Sequence, residues 1–162
     1  MDRSENVIEI CEENFDEYDC EFLSQFDTDN DGYISESEIM AVKEIEIEGW
    51  MDLWVLNYFK YVEKLAFVND GDKMAPKELD CSCFPNLIYL SCENCSISRL
   101  DISKCPKLEH LHCGGNPISE LDLSNNHELK CLDLAEYDYE HEGKISYEGK
   151  LKYIDLSGCT KL

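Results

Sequence analysis

The chain has 162 residues, enough for one domain with a sizeable core, and 43% of them are hydrophobic, which excludes a disordered polymer. The 36 acidic residues against 14 basic ones give a formal net charge of −22. That balance argues against nucleic acid and anionic membranes as partners and favours cations or basic protein surfaces. No run approaches the roughly 18 apolar residues of a membrane span, so insertion is not expected.

The opening MDRSENVIEI lacks the basic and apolar regions of a signal peptide. The expectation is a cytoplasmic chain, or a secreted or surface chain from which a leader has been cut. Downstream, Phe15, Tyr18, Phe22, Leu23 and Phe26 fall on one helical face and predict a short entering helix. Then comes DTDNDGYISESE at 27–38, which matches D-x-[DN]-x-[DN]-G-x5-E at every position, the pattern of an EF-hand calcium loop. Asp27, Asp29 and Asp31 supply side-chain oxygens, Tyr33 its backbone carbonyl, Ser35 a direct or water-mediated contact, and Glu38 two carboxylate oxygens. Gly32 permits the sharp turn and Ile34 can pack inward. An acidic turn without an ion is the competing reading, but the oxygen-bearing positions and the glycine coincide. Regulatory loops of this kind usually pair and this one is single, so a structural ion is expected rather than a switch. Residues 37–41 are too few for a long exiting helix.

VKEIEI (42–47) and VEKLAF (62–67) share apolar first, fourth and sixth positions. Between them, Trp50 and Trp54 are spaced for a helical turn; they are expected to pack under the first repeats, the alternative being an apolar hook for a partner. NDGDKMAPKE (69–78) reads as a loop. Three clearer copies follow: LIYLSCENCSI (87–97), LEHLHCGGNPI (108–118) and LKCLDLAEYDY (129–139). Their first leucines, Leu87, Leu108 and Leu129, recur every 21 residues, and a second phrase keeps that period as LDCS at 79, LDIS at 100 and LDLS at 121. One unit cannot bury its own leucines; stacked units can, with their short strands forming a parallel sheet. Strands are expected to open at 42, 62, 87, 108 and 129, with Asn116 or Cys95 capping the backbone where the chain leaves a strand. The ending LKYIDLSGCTKL resembles ISELDLSNNHEL, so 140–150 reads as an insertion and Leu162 as the opening of a further strand. The chain is then a piece of a longer one, or its last segment is an irregular cap. The 10 cysteines mostly recur at repeat positions, Cys92 and Cys113 in the small inward sixth slot, which favours reduced, structural thiols over a disulfide framework. A zinc knuckle from Cys81 and Cys83 or from Cys92 and Cys95 is disfavoured, because the second pair would not converge on one ion.

Alternation along the strands places Lys64, Tyr89, His110 and Cys131 in one column of the concave face and Ala66, Ser91, His112 and Asp133 in another. The preceding position carries Glu63, Ile88, Glu109 and Lys130. Mixed aromatic and polar groups on a rigid sheet suit protein recognition, with Ile88 and Tyr89 as apolar anchors. His110, His112, Cys131 and Asp133 could instead hold zinc or imitate a Cys–His nucleophile, while a solvated polar patch is the plainer reading. No phosphate loop or oxyanion donor set accompanies them, so an enzyme is not expected. His127 and His141 read as surface residues in loops.

The 21-residue spacing and the recurrent LDLS and LxCxxN/C phrases resemble the short bacterial leucine-rich repeats of gut Bacteroidetes and Firmicutes, over roughly 40–162. An EF-hand-like loop leading into the first repeat resembles an arrangement in those proteins. The resemblance implies an α/β leucine-rich-repeat solenoid (42–162) behind a helical cap (1–41), and a secreted or surface protein that binds a protein or cell-surface ligand. The alternative is an intracellular acidic inhibitor, of immunity type, masking a basic partner.

Overall fold

The computed structural model describes residues 8–11, 13–48, 53–68, 76–135 and 151–162. Trp50, His141, the 140–150 insertion and most of the 69–78 loop lie outside the described residues.

The N-terminal part is short helix and loop. Helix α1 (Glu17–Ser24) starts where Asp16 accepts the Asp19 N–H at 2.8 Å, satisfying one of the free amides of the first turn. Leu23 is fully buried, and Phe22 and Phe26 meet the Phe59 ring at 6.1 and 4.8 Å. The expected five-residue apolar face is only partly present: Tyr18 is 62% exposed. The helix is two turns long, so Phe15 and Phe26 lie outside it, and Tyr18 sits five residues from Leu23, about 140° around the axis. Strand β1 (Ile8–Glu9) pairs antiparallel with β2 (Tyr33–Ile34), with Ile8 opposite Ile34. Helix α2 (Glu36–Ala41) is one and a half turns long, in line with the short exit expected. Trp54, in the 3-10 turn Leu53–Tyr58, is 44% exposed and stacks on Phe15 at 5.3 Å, so it packs on the N-terminal part rather than beneath the repeats.

From residue 44 the chain coils. Strands β3 (Glu44–Glu48), β4 (Lys64–Val68), β6 (Tyr89–Ser91), β8 (His110–His112) and β10 (Cys131–Asp133) form one parallel sheet in the order β10-β8-β6-β4-β3. Each opens two residues after the first apolar residue of its repeat. Registration puts Ile45, Leu65, Leu90, Leu111 and Leu132 in one line, and Leu87, Leu108 and Leu129 are fully buried beneath it. A buried leucine contributes roughly 2 kcal/mol of transfer free energy, so the repeated column, rather than any one hairpin, holds the coil.

The second phrase of the repeat also forms strands, where a single sheet of five or six was expected. β5 (Glu78–Asp80) pairs with β7 (Arg99–Asp101), and β9 (Glu120–Asp122) with β11 (Tyr153–Asp155), all parallel. The LDxS wording explains this. In each copy the Asp Oδ1 accepts the N–H two residues on, at Ser82, Ser103, Ser124 and Ser157 (2.8–3.0 Å), turning the chain sharply after the strand. Two residues further, Phe84, Cys105, Asn126 and Cys159 share a position. The Cys105 thiol donates to the Cys81 carbonyl, the Asn126 amide to those of Ile102 and Cys105, and the Cys159 thiol to that of Leu123. The LKYIDLSGCTKL segment pairs as the half-repeat it resembles, Ile154 against Leu121. No helix among the described residues is long and apolar enough to cross a membrane.

Candidate functional site

Two places concentrate chemistry. The first is the acidic loop at 27–38. Gly32, at φ +84°, and Asn30, at φ +56°, let the chain double back. Asp27 ties the turn by accepting the Asp31 N–H at 3.2 Å and the Gly32 N–H at 3.0 Å; Asp31 accepts the Tyr33 N–H at 2.9 Å. Oxygens of Asp27, Asp29 and Asp31 lie within 4.8 Å of one another. Burial and the neighbouring Asp31, Glu38 and Asp27 raise the Asp29 pKa, so the clustered anions resist ionising together. Ile34 is fully buried and fixes the loop to the core.

Glu38 stands apart from that triad. Burial works to raise its pKa, but donors from Thr28 and Ser35 prevail and hold it at about 2. Its Oε1 accepts the Thr28 N–H and hydroxyl, both at 2.7 Å, and its Oε2 the Ser35 N–H and hydroxyl, both at 2.8 Å. Ser35 is the N-cap of α2, and with Glu38 it forms a capping box. Of the six residues read from the loop pattern, three aspartates converge while Ser35 and Glu38 bond to each other. The donor set is all oxygen and fits a hard divalent cation. Two-oxygen ligation by Glu38 requires the Thr28 and Ser35 hydroxyls to turn away.

The second place is the concave sheet. The register aligns Lys64, Tyr89, His110 and Cys131, and Ala66, Ser91, His112 and Asp133, as the alternation implied. Ile88 and Tyr89 are half-buried. The Tyr89 ring lies 5.4 Å from His112 and 6.3 Å from His110, and Lys64 Nζ sits 5.7 Å from its centre. His112 Nδ1 is 3.8 Å from Asp133 Oδ2, and Asp133 Oδ1 accepts the Ala135 N–H at 2.8 Å. Rung-to-rung pairs such as Lys130–Glu109 at 2.7 Å and Lys64–Glu44 at 3.3 Å flank this face.

Below it, Asn116 binds the turn as expected: its amide donates to the carbonyls of Cys92, Cys113 and Gly114, and its oxygen accepts the Ile97 N–H. Cys81, Cys92, Cys95, Cys105 and Cys113 are buried. Burial pushes Cys105 and Cys113 up to about 12 and Cys83 and Cys95 to about 11, which keeps these thiols protonated and unreactive. The sequence did not signal the cleft of about 550 Å³ lined by Tyr18, Glu21, Phe22, Gln25 and 46–48, because it forms between β3 and α1, which lies outside the repeat pattern.

The coil, its inward leucines and its asparagine-capped turns define a leucine-rich-repeat solenoid. Residues 85–125 match the family model described as Leucine Rich repeats (2 copies). Among solved structures the chain is similar to the functional domain of InlJ from Listeria monocytogenes, a domain that includes a cysteine ladder. The match has a TM-score of 0.57 and 17% identity over 94% of this chain and 38% of that one. This chain therefore spans well under half of that domain, and the likeness is one of fold. No curated protein matches the chain.

Proposed function

We propose that this chain is a calcium-stabilised protein-binding module that recognises a protein or cell-surface ligand through the concave face of its parallel sheet. On this reading it belongs to a secreted or surface bacterial protein, residues 1–41 act as a cap, and the chain is a scaffold, not an enzyme. The observation that carries it is the registered double column of Lys64, Tyr89, His110 and Cys131 beside Ala66, Ser91, His112 and Asp133. It presents cationic, aromatic and polar groups on a backbone held rigid by stacked leucines. Asp27, Asp29 and Asp31, with Tyr33, Ser35 and Glu38, would hold calcium, whose charge neutralises crowded carboxylates. The likeness to a bacterial leucine-rich-repeat structure supports the binding role at the level of fold.

The test is site-specific photocrosslinking. A photoreactive residue at Ser91, in the concave column, is expected to capture a protein partner from surface extracts in calcium buffer; one at Ser98, beside β7 on the return side, is not. Equal capture from both positions would contradict concave-face recognition. Capture only of strongly basic proteins from the cell interior would favour an acidic inhibitor.

A further inference from the structure

The concave cluster has a donor set unlike that of the acidic loop. His110 and His112 are two apart on β8 and share a face; Cys131 is the register partner of His110 and Asp133 that of His112 on the adjacent β10. One ligand atom each from His110, His112 and Cys131 falls within 4.8 Å of the others. A tetrahedral ion with two Zn–N bonds and one Zn–S bond needs those atoms roughly 3.4–3.6 Å apart. Side-chain torsions can supply that contraction without moving the strands. Among the described concave columns Cys131 is the single thiol, and it is half-buried, unlike the core cysteines.

We propose that His110, His112 and Cys131 form a three-ligand site for a zinc-type divalent transition metal, with its fourth position open to the concave surface. Two imidazoles and a thiolate select such an ion over calcium or magnesium, which take oxygen. The surroundings are those of a built site. Asp133, held by the Ala135 N–H, has Oδ2 3.8 Å from His112 Nδ1; a small closing rotation would bring it to hydrogen-bond distance, from which a carboxylate orients a ligating imidazole and leaves the other ring nitrogen for the metal. Glu93 Oε1 is buried with no hydrogen-bond partner, and a Glu93 oxygen lies within 4.8 Å of ligand atoms of His112 and Asp133. That oxygen is an acceptor left without a donor beside the histidine, and a bound cation would satisfy it. The Tyr89 ring lies beside both imidazoles, 5.4 Å from His112 and 6.3 Å from His110, and shields one side of the cluster. A water, or a side chain of a docked partner, completes the coordination.

Cobalt(II) titration of the full chain in saturating calcium and a non-thiol reductant tests this. The wild-type protein is expected to bind one cobalt with the visible bands of tetrahedral coordination and a thiolate-to-metal charge-transfer band, both removed by one equivalent of zinc. Cys131→Ser should lose the charge-transfer band, His112→Ala the binding itself, and Asp133→Asn should weaken affinity roughly 10- to 100-fold. Circular dichroism would show each variant folded. Absence of a thiolate band in the wild type, or its persistence in Cys131→Ser, would overturn the site. So would unchanged affinity in Cys131→Ser, which would place the ion on Glu93, His112 and Asp133.

Discussion

Two side chains carry more than their own contacts. Glu38 has a folded pKa of about 2 against an ordinary value of 4.5, so its hydrogen bonds contribute fully above the unfolded value. They are lost as pH falls, because the unfolded chain then takes up a proton that the folded one refuses. Urea midpoints should therefore drop between about pH 5 and pH 2, and Glu38→Gln should flatten that part of the curve. A variant with the wild-type slope would show that the capping box carries no stability. Asn116 satisfies two carbonyls of its own turn and a carbonyl and an amide of the preceding coil, so Asn116→Ala should cost about 2–4 kcal/mol in denaturant melts. Two glycines make a contrast. A Cβ at Gly114 would lie 1.9 Å from the Ala135 carbonyl oxygen, whereas one at Gly32 meets nothing within 4 Å but suffers the left-handed backbone. Gly114→Ala should cost about 1–3 kcal/mol through overpacking and Gly32→Ala about 1 kcal/mol through strain. A smaller loss at Gly114 would show that the neighbouring coil yields.

Among the elements, strands announced themselves where a residue type repeated in phase. The leucines at 87, 108 and 129 placed three of the five sheet strands, and the weaker copies at 42 and 62 placed β3 and β4. The concave columns followed from strand alternation alone, because register in a stacked coil leaves no freedom to slip. The return-side strands were written in LDCS, LDIS and LDLS but were not read as strands, since three-residue pairs carry too few side chains for a period to show. The aspartate that closes each turn was the visible clue. Tyr18 misled because a two-turn helix has no settled face, and Trp54 because its partner, Phe15, is distant in sequence. In the loop the ligand types were legible, but the pairing of Glu38 with Ser35 and Thr28 was not: the calcium pattern and the capping box use the same residues. In the coil, Leu111→Ala should cost about 2–5 kcal/mol, as a fully buried column residue flanked by Leu90 and Leu132. A loss below 1 kcal/mol would mean that the coils do not share one core.

For the whole molecule, a charge of −22 makes neutralisation at any one point consequential. The acidic loop lies just before the first coil, where Ile34, Ile39, Val42 and Ile45 continue the core from the N-terminal part into the sheet. On the proposed reading, an ion at Asp27, Asp29 and Asp31 would stiffen the coil's entry and keep the concave columns in register for a partner. Linkage sets the size of the effect: at 100 times the dissociation constant, a ligand that binds only the folded chain adds about 2.7 kcal/mol, or roughly 5–10 °C in Tm for a chain of this length. The most direct measurement is a thermal melt in saturating calcium and in chelator, on the wild-type chain and on Asp27→Ala. A rise of that size in the wild type and none in the variant is the predicted result. Identical melting of the wild type in both buffers would contradict the claim that calcium holds the repeat stack at its N-terminal end.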